Sequence, residues 1–229
     1  MGIRTRENVQ LPLDLGHHTA LGKESFIIGP CNQDALRWIE RWPNWPATGL
    51  ALYGSIGCGK THLAEVWRER SAAISVDACS LVGREAVDIA MDNTALVIEG
   101  LTADVPQKML LHLYNLLGER GGHVLFTACE PPARMAFVLP DLISRMRAMP
   151  AIAIAEPDDS VLSGVMRKIF EDRQLQVSED VIHFLLIRIE RSYSAARSVA
   201  AELDRLALAE RRHVTIPLAR RVLEAWEGQ

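Results

Sequence analysis

The run Gly54-Ser55-Ile56-Gly57-Cys58-Gly59-Lys60-Thr61 combines glycines, a lysine and a hydroxyl in the order G-x-x-x-x-G-K-[ST]. Each residue type has a part in holding a polyphosphate. Glycines let the main chain curl until successive N–H groups and a helix N-terminus face one anion. Lys60 would neutralise the β and γ oxygens, and the Thr61 hydroxyl would ligate Mg²⁺. The expected cofactors are therefore ATP or ADP with Mg²⁺. The competing reading is a loop kept only as a structural turn.

A second chemical group follows on a neighbouring apolar run, where Ala95-Leu96-Val97-Ile98 ends in Glu99-Gly100. A hydrolase with such a loop presents an acidic residue at the end of a neighbouring buried strand, to hold the metal and polarise water. Glu99 can take the metal-side role, with its carboxylate set one methylene further out than that of an aspartate. Gly100 cannot act as a base, so intrinsic hydrolysis is expected to be slow if the catalytic acid belongs at that second position. A solvated strand-end carboxylate is the alternative for Glu99.

These groups need a scaffold, and the hydropathy pattern supplies one. Short apolar runs at Leu50–Tyr53, Ala73–Val76, Ala95–Ile98, Val124–Phe126 and Ala151–Ile154 alternate with helix-length amphipathic stretches. Runs apolar on both faces suit a parallel sheet covered by helices on both sides. A helix over about residues 32–41 precedes them. Another is expected to start at Asp104, Pro106 and Gln107, to carry Leu110, Leu113 and Leu117 on one face, and to end at Gly121-Gly122. The fold class is thus α/β with a five-stranded parallel sheet. After Pro157 the strand signals stop. A capped start at Ser178 with Val181, Leu185 and Ile189, then Val199, Leu203 and Leu206, then Leu218, Val222 and Trp226 after Thr215, predict an all-α bundle of about four helices.

Composition narrows the classes further. The chain has 229 residues, 48% of them hydrophobic and 24% charged, with 25 Lys plus Arg against 29 Asp plus Glu. No basic nucleic-acid-binding domain and no membrane-spanning run is present in that balance, and a cytoplasmic location is expected. Cys31, Cys58, Cys79 and Cys129 form no CxxC pair. They read as reduced, mostly buried small residues rather than a zinc or redox site. Near the start, Gln10-Leu11-Pro12-Leu13-Asp14-Leu15 sets three leucines at alternating positions. Such a peptide is either a clip on its own domain or a ligand for another protein.

Taken together, these motifs resemble the AAA+ module of the DnaA replication-initiator family, and within it the short Hda-like regulators, over essentially the whole chain. Phe26-Ile27-Ile28-Gly29 with Asn32 resembles the segment that lies near the adenine, and Trp42-Pro43-Asn44-Trp45-Pro46 followed by the loop through Thr61-His62-Leu63 is similar to the family's approach to the phosphates. The resemblance implies nucleotide contacts from Ile28, Asn32, Gly54, Gly57, Cys58, Gly59, Lys60, Thr61 and His62, with Thr61 and Glu99 on Mg²⁺. Arg197 matches the sensor-2 arginine, which would reach the phosphates from the helical lid. Its alternative is a solvated arginine beside Arg188 and Arg191. Leu139-Pro140-Asp141-Leu142-Ile143-Ser144-Arg145-Met146 resembles the arginine-finger segment, so Arg145 would act in trans on a neighbouring subunit's nucleotide. A surface Asp141–Arg145 pair is the competing reading. Thr127-Ala128-Cys129 resembles the sensor-1 strand end with Cys129 where the family has an acidic residue, and Cys129 is read as structural.

The same resemblance implies the partners. Gln10, Leu11, Leu13 and Leu15 look like a peptide that docks on the β sliding clamp of the replicative polymerase, and a DnaA-type initiator would be the substrate-bearing neighbour. DNA contact would be indirect, through the clamp, and self-association is possible. The expected organisation is an arm over residues 1–25, a nucleotide-binding α/β domain over 26–156 and a helical lid over 157–229. No helical segment then remains for an appended DNA-binding domain. The competing functions are a self-sufficient ATPase or loader and a DNA-binding initiator paralogue.

Overall fold

The computed structural model describes residues 27–227. The peptide Gln10–Leu15 lies outside the described residues. Five strands, β1 Gly49–Tyr53, β2 Ile74–Asp77, β3 Ala95–Leu101, β4 His123–Ala128 and β5 Ala151–Ala153, form one sheet in the order β2-β3-β4-β1-β5. Every pairing in it is parallel. Helices α1 Gln33–Glu40 and α2 Lys60–Ser71 cover one face. Helices α3 Ala86–Ala90, α4 Gln107–Glu119 and α5 Pro140–Ala148 cover the other.

The strand sequences dictate this sandwich. Along β1, Leu50 and Leu52 face Leu63 and Trp67 while Ala51 faces the opposite side. On β3, Leu96 and Ile98 point to α4 and Val97 to α2, and on β4 Phe126 and Leu125 divide in the same way. Each such buried leucine or phenylalanine contributes about 1.5–3 kcal/mol over exposure. The expectation of runs buried on both faces holds for β1, β3 and β4. It fails for the two edge strands, β2, where Ser75 and Asp77 are exposed, and β5, where Ala153 is exposed and no residue is fully buried. An edge strand has helices over only part of its surface, and that leaves Ser75 free for another use.

After β5 the chain forms α6 Asp159–Asp172, α7 Glu179–Leu186, α8 Tyr193–Glu210 and α9 Ile216–Glu227, with a core of their own built on Leu162, Met166, Phe170, Leu185, Leu203 and Leu218. Asp158 caps α6 by accepting from the Val161 amide at 2.9 Å, and Ser192 caps α8 by accepting from the Ala195 amide at 3.1 Å. A half-buried Arg173–Asp204 pair at 2.9 Å ties α6 to α8.

Local details differ from the sequence reading in four places. Asp104 makes no cap, because α4 begins after Pro106 with no side-chain bond. Ser178 precedes α7 without a side-chain cap, and Ile189 lies beyond the end of that helix. β3 does not stop at Glu99; it continues to Leu101 through a bulge at Gly100, whose φ of +69° suits glycine. Finally, only Cys58 is fully buried, whereas Cys31 is half-buried and Cys79 and Cys129 are exposed, Cys79 in a short 3-10 helix after β2 and Cys129 just past the end of β4.

On the face opposite α4, Trp45 stacks on Trp67 at 5.2 Å, and His123 meets Trp45 edge-on at 5.4 Å. Burial among these rings lowers the His123 pKa, against a hydrogen bond to the Pro43 carbonyl that raises it. The folded state therefore binds fewer protons than the unfolded chain as pH falls through the ordinary histidine value of about 6.5. Stability at this site is complete above that pH and is lost below it. The melting temperature of the protein is expected to drop further than that of His123→Gln between about pH 7.5 and about pH 5.5 in calorimetry. Parallel curves for the two proteins would refute the assignment.

Candidate nucleotide-binding site

The loop between β1 and α2 lies at the C-terminal ends of the strands, where open parallel sheets bind ligands. The Gly54 amide donates to the Ala128 carbonyl of β4 at 3.2 Å, which anchors the loop on the sheet. Gly57 and Gly59 hold φ of +78° and +104°, a region that side chains rarely adopt. These turns bring the chain into the first turn of α2. The amides of Lys60 and Thr61, which open that helix, have no carbonyl of their own helix to bond. Cys58 is 1% exposed, its thiol pushed up by burial, so its contribution to a ligand is limited to its main chain.

A cavity of about 340 Å³ opens beside the loop, lined by Gly57, Gly59, Lys60, Thr61, His62 and residues of α8 that include Arg197. Its charged lining is cationic and contains no carboxylate. Lys60 Nζ donates to the Gly54 and Ser55 carbonyls at 2.9 and 2.7 Å, inside the curl of the loop. Burial lowers the Arg197 pKa from its ordinary value, and no carboxylate among the described residues pairs with it. A half-buried guanidinium with no counter-charge is costly, and an anion in the cavity would offset that cost. Of the two readings of Arg197, this geometry favours the one directed at the loop.

Glu99 lies outside the cavity lining. The Thr61 hydroxyl donates to Glu99 Oε2 at 2.9 Å, and the Ser75 hydroxyl donates to Oε1 at 3.1 Å. Thr61 thus commits its one proton to the carboxylate, leaving lone pairs for a cation. A hydroxyl and a carboxylate beside a phosphate loop are the oxygen donors that Mg²⁺ takes, and the residues fit that ion. Behind them, the Gly100 amide donates to the buried Thr127 hydroxyl at 3.1 Å, which fixes the bulge.

The other predicted residues fall elsewhere. Ile28 is exposed and Asn32 is 2% exposed, and neither lines the cavity. The Asn32 amide is committed inside the protein. It accepts from the Gly29 amide at 3.0 Å and donates to the Ile27 carbonyl at 3.0 Å and to the Tyr193 hydroxyl at 3.3 Å. Cys129 is exposed at the end of β4. Arg145 is exposed on α5 and lies outside the cavity lining. No Asp141–Arg145 ion pair forms among the described residues.

Ser75 and three residues around the start of α8 escaped the sequence reading. Ser192, Tyr193 and Ser194 rest on the loop, and the Tyr193 amide donates to the Gly57 carbonyl at 2.9 Å. A side chain at Gly57 would meet Ser194 Oγ at 2.5 Å and Ser192 Cβ at 2.9 Å. Burial drives the Tyr193 phenol well above its ordinary pKa, so it stays protonated. The only sequence signal was their position just before Arg197.

Residues 162–223 match a family model described as "Hda, lid domain". Over 238 aligned residues, 90% of this chain is 26% identical to the chromosomal replication initiator protein DnaA of Thermomicrobium roseum, covering 49% of it. The chain spans about half the length of the curated relatives it matches. Domain III of Thermotoga maritima DnaA superposes with a TM-score of 0.77 at 18% identity, covering 94% of this chain and 98% of that one. AMPPCP-bound DnaA from Aquifex aeolicus gives 0.63 at 19% identity over 76% of this chain and 61% of that one.

Proposed function

We propose that the chain is a DnaA-family, Hda-like AAA+ protein that binds ATP or ADP with Mg²⁺ and regulates bacterial replication initiation by acting on a nucleotide held by another subunit. The reading rests on one contrast. The finger candidate Arg145 is exposed, free of ion pairs among the described residues and outside the chain's own cavity. A guanidinium so placed is available to a phosphate on a neighbour, while Gly100, in the position after Glu99, offers no carboxylate to act as a base on the chain's own nucleotide.

In this scheme the chain's own nucleotide is a structural ligand. Lys60 and the first-turn amides of α2 hold its phosphates, Thr61 and Glu99 hold Mg²⁺, and Arg197 contacts the phosphates from the lid. When bound there, Mg²⁺ would neutralise phosphate charge. Arg145 acts on ATP bound to a DnaA-type initiator, stabilising the charge that develops as the γ-phosphoryl group passes to water, so that inorganic phosphate leaves and the initiator keeps ADP. An arm over residues 1–25 carries the Gln10–Leu15 peptide, which tethers the α/β domain and lid to the β sliding clamp. Contact with DNA is indirect, through the clamp, in the cytoplasm. Among the described residues no helix is long and apolar enough to cross a membrane.

The test measures phosphate release by a DnaA-type initiator with DNA-loaded clamp, with and without this protein. Stimulation is expected. Its absence, or rapid hydrolysis by this protein alone, would sink the reading. The tether has a separate check: Gln10→Ala combined with Leu13→Ala should abolish clamp pull-down, and undiminished capture would refute it.

A further inference from the structure

We propose that Ser75 is a positioning residue for the magnesium side of the loop, holding one oxygen of Glu99 so that the other meets Thr61. The proposal rests on the reading of the loop as a Mg²⁺-nucleotide site. Its observation is the pair of hydrogen bonds that grip the carboxylate, from Ser75 at 3.1 Å and from Thr61 at 2.9 Å. Strand pairing makes the grip possible. β2 and β3 run in parallel register with Ser75 beside Val97 and Asp77 beside Glu99, so Ser75 lies diagonally behind Glu99 on the same face of the sheet.

The need for such a residue follows from the glutamate. Its side chain has one more rotatable bond than an aspartate and is partly exposed, so its carboxylate would sample several rotamers if held at one end only. A second charge-assisted hydrogen bond from a rigid strand selects one. Asp77, in register beside Glu99, turns its carboxylate to the Cys79 amide, from which it accepts at 3.0 Å, and the Ser75 hydroxyl goes to Glu99. With Glu99 fixed, the Thr61 proton has a permanent acceptor and the Thr61 lone pairs stay directed away from the carboxylate. Ser75 acts on the ion through Glu99 and Thr61 and need not touch it.

The experiment titrates Mg²⁺ into the full chain with a fluorescent ADP analogue and compares affinity in EDTA. Ser75→Ala should raise the Mg²⁺ concentration at half-effect about three- to tenfold, the loss expected for one hydrogen bond, while affinity in EDTA is unchanged. Ser75→Thr should restore the wild-type midpoint. In a Glu99→Asp background Ser75→Ala should add nothing, because the shorter carboxylate cannot span both hydroxyls. An unchanged midpoint in Ser75→Ala, an equal loss of affinity in EDTA and in Mg²⁺, or an undiminished effect in the Glu99→Asp background would each overturn the proposal. Failure of the wild-type protein to bind the analogue under either condition would instead overturn the underlying reading of the loop.

Discussion

Arg145→Ala is expected to return initiator ATP hydrolysis to its unstimulated rate, although the variant still binds its own nucleotide and the clamp. An arginine supplied in trans is worth roughly 10³–10⁵ in rate, so no other single substitution in the chain should cost the partner's reaction as much. The structure separates this loss from misfolding. Arg145 is exposed, no ion pair among the described residues holds it, and the turns of α5 that reach the core are anchored by Leu142 and Met146 on its buried side. Arg145→Lys should fail almost as badly, since an ammonium is a point charge without the planar fork that spans two phosphate oxygens. Phosphate release from preloaded initiator, with DNA-loaded clamp present, is the measurement. Stimulation by the alanine variant equal to that of the wild type would remove Arg145 from the reaction.

Lys60→Ala should abolish nucleotide retention, and with it the thermal response to nucleotide. A ligand at about 100 times its Kd stabilises the native state by about 2.7 kcal/mol, which for a chain of this size is roughly 5–10 °C in Tm. The wild-type protein should show that gain with saturating ADP and Mg²⁺, and the variant none. The unliganded variant should melt close to the wild type, because the Lys60 bond to the Ser55 carbonyl is exposed and that to the Gly54 carbonyl only part-buried, so water can replace its ammonium. Calorimetry with and without ADP reads both quantities. A wild-type Tm indifferent to ADP and ATP would count directly against the phosphate loop.

Much of this site was legible in the sequence because its parts are contiguous. The phosphate loop is one uninterrupted run, and β1, β3 and β4 announce themselves because both faces of each are buried, which forces unbroken apolar stretches. Arg197 was found through a matching motif and does reach the cavity. Ser75 was not found, for a physical reason. It sits 24 residues from Glu99, and only the register of two parallel strands makes them neighbours. Asn32 was identified, but in a different role, since burial and three hydrogen bonds make it a brace between the first described residues and Tyr193. The expected caps at Asp104 and Ser178 failed because a polar residue before a helix bonds the first turn only if the incoming chain has the right direction. Composition carries no information about that direction. The clamp-like peptide remains a matter of sequence, since it lies outside the described residues.

The bond from the Tyr193 amide to the Gly57 carbonyl makes the phosphate loop a fulcrum for the lid. Helix α8 rises from that point for 18 residues, about 27 Å at 1.5 Å per residue. A tilt of a few degrees at its foot, set by how the loop closes on phosphate, would carry its far end through an ångström or more. The helices packed on it would travel with it. The loop would then behave as the short arm of a lever, converting the count of phosphates into a displacement that a neighbouring subunit can feel.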